Sequence, residues 1–220
     1  KLPNPVEIVP DPPGFFAALK RVETEMPAEP TTWEEVAGRM VIEQQALAIV
    51  NTRRDARSLC GYLSGGTIHL STWQCAAHRA KLLAFVKERL DRGEPVRVVS
   101  TTLVEAGVDI DFPVVFRAMA GLDSLAQAAG RCNREGKLPG KGRFIVFSPE
   151  DANPRGHLLQ AIQATEVAFA RHSADPFAPE IFETYFQELY WMKGDDALDA
   201  YGMDRLLHLV KEAPRRGNTL

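Results

Sequence analysis

The sequence is poor in cysteine, and the three cysteines that it has stand far apart. Cys60, Cys75 and Cys132 form no C-x-x-C pair among the 220 residues. Such spacing argues against a zinc framework and against a disulfide scaffold, and it is typical of proteins of a reducing compartment. We therefore expect a cytoplasmic chain that holds no metal ion of its own.

Long apolar runs and an excess of positive charge are missing too. No apolar run approaches the roughly 18 residues that a transmembrane helix requires, so we expect no membrane contact. The 26 Lys and Arg residues are outnumbered by 29 Asp and Glu residues, and the formal net charge is -3. A domain that binds nucleic acid through its overall charge is usually basic, so any such contact here has to come from a local surface.

The motifs with which ATPases bind phosphate and magnesium are absent. The sequence contains no G-x-x-x-x-G-K-[ST] string, and the Gly-Lys-Gly at 140–142 lacks both the preceding glycine loop and the hydroxyl residue. It also lacks a D-E-x-x box that could hold Mg²⁺. This chain alone therefore cannot assemble a complete ATPase site.

Strand and helix patterns alternate along the first 150 residues. The apolar run at 46–50 has no polar alternation, which predicts a parallel strand buried on both faces. Further strands are predicted near 6–9, 67–70, 96–100, 114–119 and 143–147, and helices near 15–25, 32–45, 55–63, 82–90 and 123–134. This alternation predicts a doubly wound α/β domain with a parallel sheet over residues 1–150.

Beyond Pro149 the pattern is helical. Residues 157–171 read as one helix, and Pro179 suits the first turn of another. The second helix carries an apolar face that we expect to pack against the α/β domain, formed by Ile181, Phe182, Tyr185, Phe186, Leu189 and Tyr190. Residues 151–220 are therefore predicted to be a helical extension that leads towards a further domain.

The first chemical motif is S-T-T-L-V-E-A-G-V-D-I at residues 100–110. It follows a predicted buried strand, and ligands of parallel sheets bind at the carboxyl ends of the strands. The hydroxyls and backbone amides of Thr101 and Thr102 can hold a phosphate. Gly107 permits close approach of the backbone, and Asp109 can accept a hydrogen bond from a ribose hydroxyl.

The second motif is Q-A-A-G-R-C-N-R at residues 127–134. On the predicted helix 123–134, the side chains of Gln127, Arg131 and Arg134 would project from one face. Two guanidinium groups can grip phosphate oxygens in fork geometry, and arginines presented to a transferring phosphoryl group stabilise its charge. The motif therefore predicts a contact with nucleotide phosphates.

In this order, about 20 residues apart, the two motifs resemble the fifth and sixth motifs of superfamily-two helicases. The string E-A-G-V-D-I-D at 105–111 and the ending G-R-C-N-R at Arg134 are similar to the helicase–nuclease of type I CRISPR systems. The L-S-T run at 70–72 before His78, and D-P-F-A-P-E at 175–180, are similar to it as well. The resemblance implies the second RecA-like domain of such a helicase, its C-terminal part.

The resemblance also implies two sets of contacts. The nucleotide set contains the arginines for the γ-phosphate and the residues around them: Arg131, Arg134, Gln127, Gly107 and Asp109. The DNA set follows the strand ends and contains Thr101, Thr102, Asn51, Thr52, Arg53 and Ser71. ATP and Mg²⁺ are the implied cofactors of the full-length protein, with magnesium ligands outside this chain and no cofactor held tightly by it.

The implied partners are single-stranded DNA, the first RecA-like domain and the nuclease domain of the same polypeptide, and an RNA-guided CRISPR surveillance complex. Two alternatives share the sequence features. One is another superfamily-two helicase of DNA or RNA, which would lack the nuclease domain in its gene. The other is a non-enzymatic α/β module that binds a partner, which would occur naturally at the 24.4 kDa of this chain.

We predict that this chain alone hydrolyses no ATP, because the phosphate-binding lysine and the magnesium-binding acid are absent from the sequence. A phosphate-release assay with and without single-stranded DNA measures the turnover, with a complete two-domain helicase as positive control. Turnover above background that survives Arg131→Ala would contradict the prediction.

Overall fold

The computed structural model describes residues 6, 8–63, 65–105, 107–172 and 175–194. The chain divides between Asn153 and Pro154 into two compact units, the first holding all described strands. The end of the predicted helical extension, residues 195–220, lies outside the described residues. Within the described part, no helix has both the length and the apolar character needed to cross a bilayer.

From residue 33 onwards the elements follow one another in the order that the sequence predicts. The strands are β1 (Val22–Glu25), β2 (Pro30–Thr31), β3 (Gln45–Ile49), β4 (Ile68–Leu70), β5 (Val96–Ser100), β6 (Val114–Ala118) and β7 (Gly142–Pro149). The helices are α1 (Pro12–Leu19), α2 (Trp33–Val41), α3 (Arg53–Tyr62), α4 (Ala76–Asp91), α5 (Leu122–Ala129), α6 (His157–Arg171) and α7 (Pro179–Lys193). A short 3-10 turn covers Thr102–Val104.

All strand pairs among the described residues are parallel. The order across the sheet is β1-β7-β6-β3-β5-β4, and β2 also pairs with β7. β3 lies between β5 and β6, and parallel neighbours of this kind need crossover connections, which the helices provide. The predicted α/β class with a parallel sheet is confirmed.

Helices cover both faces of the sheet. On one face, Ala48 of β3 packs in a core cluster with Met40 of α2 and Leu59 of α3, all fully buried. On the other face, Leu47 is fully buried, and the Gln45 amide reaches the carbonyl of Arg89 in α4 at 3.5 Å. β3 is therefore buried on both sides, as its unbroken apolar run predicts.

The helix after Thr32 begins where its sequence indicates. The Thr32 hydroxyl accepts a hydrogen bond from the Glu35 amide at 3.2 Å, and the Glu35 carboxylate accepts one from the Thr32 amide at 2.9 Å. This reciprocal pair is a capping box, which satisfies two amides that the first turn leaves without a partner. The helix ends at Val41 instead of near 45, because Gln45 already belongs to β3.

Two predictions near the start of the chain are wrong. Val6, Ile8 and Val9 lie in no strand, and the helix predicted over 15–25 is helix α1 followed by strand β1. The helix starts earlier because the Asp11 carboxylate accepts a hydrogen bond from the amide of Gly14. Residues 22–25 form a strand because they pair with β7. This partner lies about 120 residues further along the chain, so no local sequence pattern predicts the strand.

The second unit is a pair of helices that pack against each other. α6 contributes small buried residues and α7 larger ones, namely Ala161, Ala164, Ala168, Ile181, Tyr185 and Leu189. An ion pair of 2.6 Å between Arg171 and Glu188 joins the two helices. The predicted apolar face of α7 is divided, because Phe186 and Tyr190 stack on one another at 5.8 Å and stay exposed.

We predict that Thr32→Ala lowers the free energy of unfolding by about 1 kcal/mol, because it removes the side chain that caps α2. Thr32→Ser is the matched control and should keep most of that stability, since its hydroxyl can accept the same hydrogen bond. Urea unfolding followed by circular dichroism measures both values. Equal stabilities of the two variants would show that the capping box contributes nothing.

Candidate nucleotide and nucleic-acid site

The loops after β3, β5 and β4 meet at the carboxyl edge of the sheet. These three strands are parallel neighbours, so the residues that follow them come together. The amide of Val50 donates to the carbonyl of Ser100 at 2.9 Å, and the amide of Thr101 donates to the carbonyl of Leu70 at 3.3 Å. We name the predicted DNA residues at this edge the carboxyl-edge cluster: Asn51, Thr52, Arg53, Ser71, Thr101 and Thr102.

Members of this cluster differ in how far they reach the surface. Thr52 and Thr102 are exposed, whereas Thr101 retains only 8% of its accessible surface. Thr52 also caps α3, because its hydroxyl accepts a hydrogen bond from the amide of Asp55 at 3.1 Å. The hydroxyls of Thr52 and Thr102 and the Arg53 side chain are therefore the groups of this cluster that are open to solvent.

Ser71 is fully buried and shapes a turn. Its amide donates to the side-chain oxygen of Gln74 at 2.8 Å, and its hydroxyl accepts from the amide of Trp73 at 3.4 Å. The turn carries Thr72 and Trp73 to the surface in its place. The sequence interpretation missed Trp73, although a large aromatic residue in a polar stretch after a strand is a usable signal.

The segment from Thr101 to Asp111, here called the crossing segment, runs along the strand direction from the carboxyl edge of the sheet to its amino edge. It leaves β5 at Ser100, which stands opposite Ile49, and reaches β6 at Val114, which stands opposite Ala46. Because both strands run the same way, the segment starts at the carboxyl edge and ends at the amino edge. It therefore joins two separate groups of predicted site residues, and only its residue 106 lies outside the described part.

The second group stands towards the end of that segment, and we name it the arginine cluster: Gly107, Asp109, Gln127, Arg131 and Arg134. Its helix differs from the prediction, since α5 ends at Ala129 and the two arginines follow in turns. The amide of Phe112 donates to the carbonyl of Arg131 at 2.9 Å, and Asn133 adopts a φ of 47°. These features end the helix, so the prediction that all three side chains share one helical face is wrong.

Arg131 is tied to the crossing segment. Its Nε donates to the carbonyl of Val104 at 2.9 Å and its Nη2 to the carbonyl of Glu105 at 2.7 Å. The residue keeps 7% of its accessible surface. Burial, together with the nearby charge of Arg134, lowers the pKa of Arg131, yet an arginine stays protonated in proteins. The Nε and Nη2 atoms of the buried Arg131 therefore hold the middle of the crossing segment in place.

Arg134 is the accessible arginine, with 45% of its side chain exposed. Its Nε lies 3.5 Å from the Asp109 carboxylate, which also stands 3.6 Å from the Lys87 ammonium. Gly107 has a φ of +71°, a conformation that side-chain-bearing residues rarely adopt. A cavity of about 220 Å³ opens beside Asp109 and is lined by further charged groups, including Lys87, Asp111, Glu135 and Lys137.

The side chains of Arg134 and Lys87 thus flank the exposed Asp109 carboxylate, and the turn at Gly107 lies two residues before it. Phosphate oxygens can be held by the cations, and a hydroxyl can donate to the carboxylate. Gln127 is exposed in the last turn of α5, four residues before Arg131. Among the described residues, no group of three His, Cys, Asp or Glu side chains stands close enough to hold a metal ion.

A buried polar network connects the two clusters. Arg117, which has no accessible surface, donates from Nη1 to the Asn51 side-chain oxygen at 2.8 Å and from Nη2 to the Ser124 hydroxyl at 3.0 Å. The Ser124 hydroxyl donates to the Glu105 carboxylate at 2.7 Å. Asn51 in turn donates to the carbonyl of Met119 at 2.8 Å. The network joins the loop after β3, the crossing segment and α5.

Glu105 and Arg117 form the charged centre of this network. Arg117 Nε lies 2.9 Å from Glu105 Oε1, but neither atom makes a well-aligned hydrogen bond within the described residues, so their attraction is mainly Coulombic. Burial raises the pKa of Glu105, and the positive charge of Arg117 opposes that rise. Burial lowers the pKa of Arg117, and Glu105 counteracts it. Arg117 therefore favours the ionised form of Glu105, and Glu105 supplies the counter-charge of the buried Arg117.

One stretch of the chain matches a known protein family, and it contains the whole candidate site. Residues 42–137 match the model of the C-terminal part of the CRISPR-associated nuclease/helicase Cas3. Every residue expected to contact nucleotide or DNA lies within this stretch. The Cas3 of Haloferax volcanii is 40% identical over 79 residues, which are 34% of this chain and 8% of that protein.

Solved structures resemble the chain over a longer range. T. fusca Cas3-AMPPNP matches with a TM-score of 0.59 and 21% identity, covering 87% of this chain and 26% of that chain. A CRISPR RNA-guided surveillance complex, pre-nicking, contains a chain that matches with a TM-score of 0.57 and 18% identity, covering 87% of this chain and 27% of that one. The chain thus has their RecA-like fold and spans about a quarter of their length.

We predict that Arg117→Met and Glu105→Gln each lower the free energy of unfolding by about 3–5 kcal/mol, because each leaves its buried partner without a counter-charge. The double variant should lose clearly less than the sum of the two, since it removes both ions. A double-mutant cycle from urea unfolding measures the coupling. Strictly additive losses would show that the two side chains do not depend on each other.

Proposed function

We propose that the chain is the second RecA-like domain of an ATP-driven helicase with a nuclease partner domain, and the match of residues 42–137 to the model of the C-terminal part of the CRISPR-associated nuclease/helicase Cas3 supports this. The observation that carries the proposal is the crossing segment 101–111, which joins the carboxyl-edge cluster to the arginine cluster. One continuous piece of backbone thus borders both a DNA surface and a nucleotide surface.

The arginine cluster supplies one wall of an ATP site. Arg134 reaches the γ-phosphate, Asp109 accepts a hydrogen bond from the ribose, and Gly107 lets the backbone approach the nucleotide. The phosphate-binding loop and the magnesium ligands come from the first RecA-like domain of the same polypeptide. The likeness to T. fusca Cas3-AMPPNP supports the use of a nucleotide. In this proposal Gln127 contacts the water or phosphate at the junction of the two domains.

Arg131 has a double role in this proposal. Its Nε and Nη2 hold the carbonyls of Val104 and Glu105, so Nη1 is the edge that can meet a γ-phosphate oxygen. A single guanidinium then contacts the crossing segment and the nucleotide at once. When the phosphate leaves after hydrolysis, Arg131 loses one of its two contacts. The crossing segment can then shift, and this shift changes the DNA surface at its other end.

The carboxyl-edge cluster holds the backbone of single-stranded DNA. The Thr102 and Thr52 hydroxyls and the Arg53 guanidinium contact phosphates, while Thr101 and Ser71 shape the loops that present them. Such contacts fix the position of a strand without reading its sequence. This suits a motor that has to move along any DNA.

The buried network transmits movement between the two surfaces. Asn51 stands at the DNA edge, Glu105 lies in the crossing segment, and Arg117 bonds to both. Closure of two RecA-like domains around ATP and their opening after hydrolysis then shift the grip on DNA stepwise. The nuclease domain cleaves the strand that an RNA-guided CRISPR surveillance complex has displaced, in line with the structural match to such a complex.

We predict that Arg134→Ala in the complete helicase slows DNA-stimulated ATP hydrolysis by about a hundredfold or more, on the order of 3 kcal/mol of lost charge stabilisation. Arg134→Lys should restore little, because a point charge does not reproduce the guanidinium fork. Affinity for single-stranded DNA without nucleotide should hardly change. Arg92→Ala, at an exposed arginine after α4, is the matched control and should leave both values unchanged.

The same titrations separate the roles of the two arginines. Arg131→Ala should slow hydrolysis as well and also weaken DNA binding, because the crossing segment loses its anchor. The paired measurement is the ATPase rate and the DNA affinity of each variant. Arginine variants that lose DNA binding and keep hydrolysis would mean that the two clusters have been assigned to the wrong ligands.

A further inference from the structure

Trp73 is a surface tryptophan between two arginines. It keeps 59% of its accessible surface, in the turn between β4 and α4. The Arg53 guanidinium lies 5.1 Å from the centre of a Trp73 ring, and that of Arg57 lies 5.7 Å from it. Both arginines are exposed and stand one helical turn apart on α3, so this helix presents both of them to the indole.

Several hydrogen bonds stabilise the turn that carries Trp73. The Gln74 side chain accepts a hydrogen bond from the Ser71 amide at 2.8 Å and donates to the carbonyl of His69 at 2.5 Å. Arg79 donates to the Gln74 carbonyl at 2.5 Å. These bonds fix the backbone on both sides of the indole. The ring is therefore held at the surface by a hydrogen-bonded turn.

The position of the indole matters for what it can bind. β3 and β4 flank β5 in the sheet, so a contact from Arg53 to Trp73 bridges the loops on both sides of β5. Thr102 begins its turn between those loops. The aromatic ring therefore stands beside the hydroxyls and the guanidinium that meet phosphates in the carboxyl-edge cluster.

An indole next to two cations fits a nucleotide better than a protein surface. Bases stack on aromatic rings whatever their sequence, and arginines neutralise the adjoining phosphates. A protein partner would favour apolar residues around the ring, whereas the two side chains that lie over it here carry positive charge. Neither Arg53 nor Arg57 forms an ion pair with a carboxylate of the described residues, so both charges are available.

We propose that Trp73 stacks on a base of single-stranded DNA, while Arg53 and Arg57 neutralise the phosphates on either side of that base. This inference rests on the proposed function, because it takes the carboxyl-edge cluster to be part of the DNA track. It adds a contact with the bases to a surface that otherwise holds only the sugar–phosphate backbone.

The test compares two DNA strands that differ only in their bases. The chain is titrated at low salt with a labelled oligothymidylate and with an abasic oligomer of the same length. The wild type should bind the thymidylate roughly tenfold more tightly than the abasic strand, in the range expected for one stacked base. Trp73→Ala should remove that preference and hardly alter the affinity for the abasic strand, whereas Trp73→Phe should keep most of it.

Two further variants serve as controls. Trp191→Ala removes the other highly exposed tryptophan, which lies in the second unit, and should leave the preference intact. Arg53→Ala should weaken binding of both strands by the same factor and reduce the salt dependence by about one counter-ion. The arginine acts on phosphates, which the two strands share, so the preference itself should persist.

The outcomes separate this inference from the proposed function. Binding of both strands by the wild type with a preference that survives Trp73→Ala would overturn the stacking role and leave the DNA track in place. Equal weakening of both strands by Trp73→Ala would overturn it too, because the indole would then only support the loop. Failure of the wild type to bind either strand at low salt would contradict the proposed function itself.

Discussion

The contact between Glu105 and Arg117 is the constraint on which the arrangement of the site depends. An arginine without accessible surface in a central strand requires an anion and several acceptors, which the crossing segment, the loop after β3 and helix α5 supply. Buried charges are stable only when such partners are in place. The three elements therefore cannot settle independently, and the carboxyl-edge cluster and the arginine cluster take their positions together.

The architecture could largely be predicted from the sequence, because the strongest elements carry local signals. The apolar run of β3 and the capping box at Thr32 both describe what the structure contains. The errors occur where distant residues decide. β1 is a strand only because β7 pairs with it, and α5 stops at Ala129 because the backbone around Arg131 pairs with Phe112.

In the candidate site, too, residues with local sequence signals were predicted, and residues whose role depends on distant contacts were not. The two motifs contain the arginine cluster together with Thr101 and Thr102, because their chemistry and spacing are visible in a linear sequence. The other members of the carboxyl-edge cluster were predicted from their places after strands and from the family resemblance. Arg117 was missed, although an arginine within the apolar string V-V-F-R-A is a signal of a buried partner. Trp73 has a visible signal, an aromatic residue in a polar stretch after a strand, but its contacts with Arg53 and Arg57 of α3 exist only in the folded chain. Ser71, by contrast, has a visible motif but no accessible surface.

The pairing of β1 with β7 also has a consequence for biosynthesis. Val22 stands opposite Gly142, so 120 residues have to be translated after the first strand before its partner exists. At roughly 5–20 residues per second, that wait lasts about 6 to 24 seconds on the ribosome. The inner strands β3, β5 and β6 emerge meanwhile and can pair with one another. The amino-terminal strand is thus among the last to dock, and a chaperone that shields it would act in that interval.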